Sequence, residues 1–115
     1  MDGRVQLPVI DWMKQQYGVD FVDMITEPGP NRILAENRPT MLIDSLRRRV
    51  EISVIRHRSI CIAVTGHVDC AGNPVEKETQ LRQIKTAVKT IQSWGFGIPV
   101  IGLWIDDRWA VQKIV

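Results

Sequence analysis

Ile60-Cys61-Ile62-Ala63-Val64-Thr65, followed at once by Gly66-His67-Val68-Asp69-Cys70-Ala71-Gly72, decides how the chain is read. The first six residues are a nearly unbroken apolar, β-branched run, as expected of a strand covered on both faces. Its exit carries an imidazole and a thiol three residues apart, His67 and Cys70, between glycines that let the backbone turn tightly. Neutral imidazole and thiolate are ligands that zinc prefers. The carboxyl end of a parallel strand is also where open α/β sheets place their chemistry. Two ligands fall short of the three that a catalytic zinc takes, or the four of a structural one. A core histidine beside a buried thiol is the plainer alternative, because free Cys behaves as a small hydrophobe.

Outward from this stretch, helices and strands alternate. Val9, Ile10, Trp12, Met13 and Tyr17 recur at near-helical spacing, with Pro8 suited to a first turn and Gly18 to a stop. Phe21 to Ile25 reads as a short strand, ended by the turn residues Glu27-Pro28-Gly29-Pro30-Asn31. A second helix is expected from about Thr40 to Ile55, with Leu42, Leu46, Val50 and Val54 on one face. The central strand is Ser59 to Thr65. A third helix is expected to start with Asn73 as N-cap, Pro74 in its first turn and Glu76 as a capping-box acid. Leu81, Ile84, Val88 and Ile91 form its apolar stripe, and Gly95 ends it. Ile98 to Ile105 is a second buried strand. Asp106-Asp107-Arg108 then turns Trp109 to Val115 back as an antiparallel edge strand. The expected fold is a three-layer α/β domain over residues 1–115, with a mainly parallel sheet flanked by helices and an antiparallel C-terminal edge strand. No strand precedes the first helix, so the sheet is one strand thin for this class.

Bulk properties narrow the function. The chain has 115 residues, enough for one domain and one core. A net charge of +2 gives no argument for nucleic acid. No apolar stretch approaches the ~20 residues of a membrane helix, and no leader is recognisable, so no membrane partner is expected. Two cysteines, Cys61 and Cys70, make no secreted disulfide framework, which points to a reducing cytoplasm. The four tryptophans suit core or subunit contacts.

The segment Gly66-His67-Val68-Asp69-Cys70-Ala71-Gly72, between a buried strand and a helix, resembles the second metal motif of the β-class carbonic anhydrases. Their first motif is Cys-x-Asp-x-Arg, closing the first strand. Asp2-Gly3-Arg4, just before the first helix, matches its Asp-x-Arg part, with Met1 at the variable position and the cysteine one residue upstream. The turn Gly29-Pro30-Asn31 resembles a Gly-Asn turn of the family. The order of elements agrees along nearly the whole chain; only the two short motifs are specific. The resemblance implies a β-carbonic-anhydrase-like fold whose first strand is missing here, in an N-terminally shortened, compact and divergent member. It further implies zinc as cofactor, held in the family by two Cys and one His, for the reversible hydration of carbon dioxide to bicarbonate. His67 and Cys70 would be metal ligands. Asp2 would gate the ion and accept a hydrogen bond from its activated water, and Arg4 would hold Asp2. Asp2 or the Met1 amine could supply a third, weaker ligand. Reduced zinc occupancy and little activity are therefore expected of this chain. Family members are at least dimers, so a homodimer or higher assembly is expected.

Two other functions stay open: a non-catalytic binding or structural protein with a relict metal site, and a zinc hydrolase acting on another small cumulated molecule such as carbon disulfide. Further residues have plainer readings. Cys61 is expected as core packing, and His57 as a favourable charge at a helix C-terminus. Asp69 is expected to face solvent or cap the next turn. Arg47-Arg48-Arg49 fan over about 200° of a helix and read as a solvated face. Asp106-Asp107 reads as a surface turn, and no phosphate-binding glycine loop is present.

Overall fold

A computed structural model describes residues 1–115. Helix α1 is Gly3–Tyr17, α2 is Pro30–Glu36, and α3 is Thr40–Glu51, prolonged by a π-helical turn, Ile52–Arg56. Strand β1 (Ile62–His67) leads to α4 (Lys77–Gln92), then β2 (Val100–Ile105) and β3 (Val111–Lys113). The sheet order is β1-β2-β3, with β1 parallel to β2 and β3 antiparallel to β2. This is the expected α/β architecture with its antiparallel C-terminal edge.

The period of two along the strands builds the layers. Ile101, Leu103 and Ile105 of β2 face α1, where they pack with Val5, Val9 and Met13. Val64 of β1 turns to the other face, against Leu34 of α2, Leu46 of α3 and Ala87, Val88 and Ile91 of α4. Gly102 of β2 faces that way too, so closely that an added Cβ would stand 2.5 Å from Ile84 Cγ2. Ile84, Leu103 and Ile105 are wholly buried, each contributing about 1.5–3 kcal/mol of transfer free energy.

Several local expectations change. Helix α1 starts earlier than expected, so Asp2 is its N-cap, Gly3 and Arg4 lie inside the first turn, and Pro8 is interior. The amide that would bond the Arg4 carbonyl is therefore missing. Pro30 opens helix α2 at a position where the sequence predicts only a turn. Helix α4 begins at Lys77 with Glu76 as N-cap, because Asn73 is engaged elsewhere. Cys61 lies just ahead of β1, half-buried against the α1-side core rather than in mid-strand. Phe21–Ile25 is not a strand: residues 19–28 join no other segment by backbone hydrogen bonds, and Phe21 is 90% exposed.

The physical reason is the lack of a ladder partner. On β1, the amides of Ile62 and Val68 point to β2, donating to Pro99 and Ile105. By the geometry of a parallel pair, Ala63, Thr65 and His67 direct their backbone groups the other way. That rim carries no strand. It opens on an apolar groove of about 890 Å³ whose lining includes Met13, Tyr17, Phe21, Val22, Leu34 and Val50. No helix is long and apolar enough to cross a membrane.

Candidate metal centre

His67 is the last residue of β1, and Cys70 lies in the loop that follows; both are buried. His67 Nδ1 stands 2.7 Å from the Val68 carbonyl oxygen. A carbonyl can only accept, so Nδ1 carries a proton, and in the neutral ring Nε2 keeps its lone pair. Asp69, at φ +54°, reverses the chain between the two residues and leaves its own side chain in solvent.

The α1 N-terminus supplies the charged part. Asp2 Oδ1 accepts from the Arg4 backbone N–H at 2.9 Å, the N-cap bond. The Arg4 guanidinium donates to the same carboxylate through Nε at 3.1 and 3.2 Å and through Nη2 at 2.7 Å. It reaches onward to Asp69, with Nη1 3.3 Å from Oδ2 and Nη2 3.3 Å from the carbonyl oxygen. Its other face lies 4.9 Å from the centre of the Trp109 ring. The Arg4 side-chain and backbone hydrogen bonds hold the Asp2 carboxyl well below the usual carboxylate range, and a charge on His67 acts in the same direction. Asp2, Arg4, Asp69 and His67 thus meet at one end of β1.

The donor types suit zinc; their number does not. No group of three or more His, Cys, Asp or Glu side chains is arranged to hold a metal ion. Asp2, expected as a possible third ligand, pairs with Arg4, as also expected.

The family model described as "Putative carbonic anhydrase" matches residues 1–115. The chain belongs to this family. No curated protein and no solved structure matches it.

This member of the carbonic anhydrase family carries further charged groups outside the loop. His57 caps the π-helical turn and pairs with Asp23 at 2.7 Å, away from the loop. Arg49 pairs with Glu27, and the Arg47–Arg49 run is otherwise on the surface. Asp106 Oδ1 accepts from the amides of Arg108 and Ala110, as a turn residue does.

Sequence reasoning missed a buried carboxamide cluster behind the loop. Asn31, Asn73 and Gln80 are 0–1% exposed. Asn31 Nδ2 donates to Gln80 Oε1 at 3.2 Å, and Asn73 Nδ2 donates to Asn31 Oδ1 at 3.2 Å and to Gln83 Oε1 at 2.6 Å. Asn73 Oδ1 is the single buried side-chain nitrogen or oxygen without a hydrogen-bond partner. Burying such groups unpaired costs about 1–3 kcal/mol each, so the hydrogen bonds are what make the cluster tolerable. The only signal in the sequence was Gly66: a Cβ there would stand 2.7 Å from Ile84 Cδ1, 2.9 Å from Asn31 Nδ2 and 3.0 Å from Gln80 Oε1.

Proposed function

We propose that this chain forms a carbonic anhydrase site for the interconversion of carbon dioxide and bicarbonate, with His67 Nε2 and Cys70 Sγ as two ligands of a zinc ion. The observation that carries this reading is the buried His67, its Nδ1 proton committed to Val68 and its Nε2 left free, beside the Asp2–Arg4 pair. Zinc, when bound, supplies a water acidic enough to ionise near neutral pH. Arg4 keeps Asp2 ionised and fixes its rotamer, so that Asp2 acts as a hydrogen-bond acceptor in the site. Trp109 and Asp69 limit the swing of Arg4 in turn. The family membership supports carbon dioxide and bicarbonate as the small-molecule pair.

With two ligands in place, zinc is held weakly and hydration is slow. A non-catalytic protein with a relict site is the second reading, favoured by the missing third ligand. Metal analysis of purified protein, paired with stopped-flow hydration, separates the two. Substoichiometric zinc, and a hydration rate that rises with added zinc and is abolished in His67→Ala, support the first reading. A zinc-loaded but inert protein supports the second, and stoichiometric, tightly held zinc contradicts the weak site. We further propose that the chain works as a homodimer or larger assembly in the cytoplasm.

A further inference from the structure

We propose that Gln80, Asn31 and Asn73 form a buried relay that sets the spacing between His67 and Cys70, with Gln80 and Asn31 as positioning residues for the metal loop. The inference rests on the reading of His67 and Cys70 as ligands. Both of these residues are gripped from behind through their carbonyl groups. Gln80 Nε2 donates to the His67 oxygen at 2.8 Å, and the Asn73 backbone N–H donates to the Cys70 oxygen at 3.2 Å. Asn31 joins the two grips, giving to Gln80 Oε1 and accepting from Asn73 Nδ2.

The order of the relay follows from donor and acceptor counting. A carbonyl oxygen needs a donor, so Gln80 must turn its amide nitrogen to His67 and its oxygen away. That oxygen then takes the nitrogen of Asn31, whose own oxygen receives Asn73 Nδ2 and the Arg32 backbone N–H, the latter at 3.0 Å. Each link fixes the orientation of the next, and none reaches solvent. Aspartate or glutamate at positions 31 and 80 would lack the donors, despite matching in size.

The backbone beneath the loop is closed just as tightly. An added Cβ on Gly72 would stand 2.6 Å from the Pro28 carbonyl carbon, and one on Gly29 would stand 2.6 Å from the Gly72 oxygen. The turn preceding α2 is therefore pressed against the metal loop, with Asn31 inserted as the peg. Partners one step behind metal ligands commonly change metal affinity by about 10–100-fold when removed.

The test uses Gln80→Met, Gln80→Glu and Asn31→Leu in a Cys61→Ala background, with Ile91→Val as a core control distant from the relay. Trapping of the Cys70 thiol by an aromatic disulfide, below the unfolding transition, reports loop opening without any metal. The three relay variants are expected to be trapped at least tenfold faster than the parent, and the control within about twofold after correction for its stability. Gln80→Glu failing to restore slow trapping would show that the donor matters rather than the volume. Wild-type trapping rates in the relay variants, or equal acceleration in the control, overturn the proposal. Cobalt(II) titration of the same proteins should show the thiolate charge-transfer band weakened in affinity by about 10–100-fold. A parent that shows no such band refutes the ligand reading of the site, while the trapping rates still decide whether the relay holds the loop.

Discussion

Arg4 holds Asp2 by main chain and side chain together: its backbone N–H donates to Oδ1 at 2.9 Å, while Nη2 donates to Oδ2 at 2.7 Å. One carboxylate is thus both the cap of a helix and half of an ion pair. The two roles separate by substitution. Asp2→Asn keeps a good cap and should lower the thermal midpoint slightly, whereas Asp2→Ala removes both roles and should lower it by several degrees. Thermal unfolding followed by circular dichroism checks this; equal losses in the two variants would show that the cap contributes nothing.

Acid stability follows from the same carboxylate and two others. Arg4 lowers the pKa of Asp2; hydrogen bonds from Ser53 and then His57 lower that of Asp23; and Arg32, then Arg38, lower that of Glu36. A carboxyl whose folded pKa is depressed adds stability that is complete above its ordinary value, 3.8 for Asp and 4.5 for Glu, and is lost as pH falls through the folded value. The urea midpoint should therefore be level for these groups above about pH 5 and decline below about pH 4. Asp2→Asn should flatten part of that decline. An unchanged acid limb in this variant would show that Asp2 does not contribute to it.

Gly66 has no room for a side chain. Gly66→Ala drives a methyl group into Ile84, Asn31 and Gln80 at 3.0 Å or less, an overpacking that costs about 1–3 kcal/mol. Gly3→Ala, with nothing within 4 Å and a helical backbone, should be neutral or stabilising. Urea unfolding of both variants tests the contrast, and a neutral Gly66→Ala would mean that the carboxamides move freely.

Large apolar side chains on the surface suit a contact between copies: Phe21 is 90% exposed, Met41 82% and Leu7 64%. Light scattering at micromolar concentration should give at least twice the monomer mass. Phe21→Asp should shift the population toward monomer. A monomer in the wild-type protein would remove the case for assembly.

The β1 run was legible because a buried strand leaves a continuous apolar signature, and β2 was legible for the same reason; the antiparallel return was legible from the turn residues at Asp106-Asp107-Arg108. Phe21–Ile25 carries a strand-like composition too, but a strand exists only where another pairs with it, and pairing is not written in local sequence. Asn73 looked like a helix cap because Ser, Thr, Asp and Asn commonly are; tertiary hydrogen bonds to Asn31 and Gln83 took its side chain instead. In the site, His67, Cys70, Asp2 and Arg4 could be picked out by residue type and spacing. Asn31 and Gln80 could not, since a carboxamide on a helix reads as surface until the fold shows what stands over it. Trp109 was hidden likewise: its contact with Arg4 bridges 105 positions of chain.

The bare rim of β1 has a further consequence for the protein in concentrated solution. Ala63 and Thr65 offer a short template on which an extended chain can add itself, including a partly unfolded copy of the same molecule. Storage lifetime should then depend on concentration rather than on the melting temperature alone, and fibrillar or gel-like material should nucleate from this edge before it arises elsewhere.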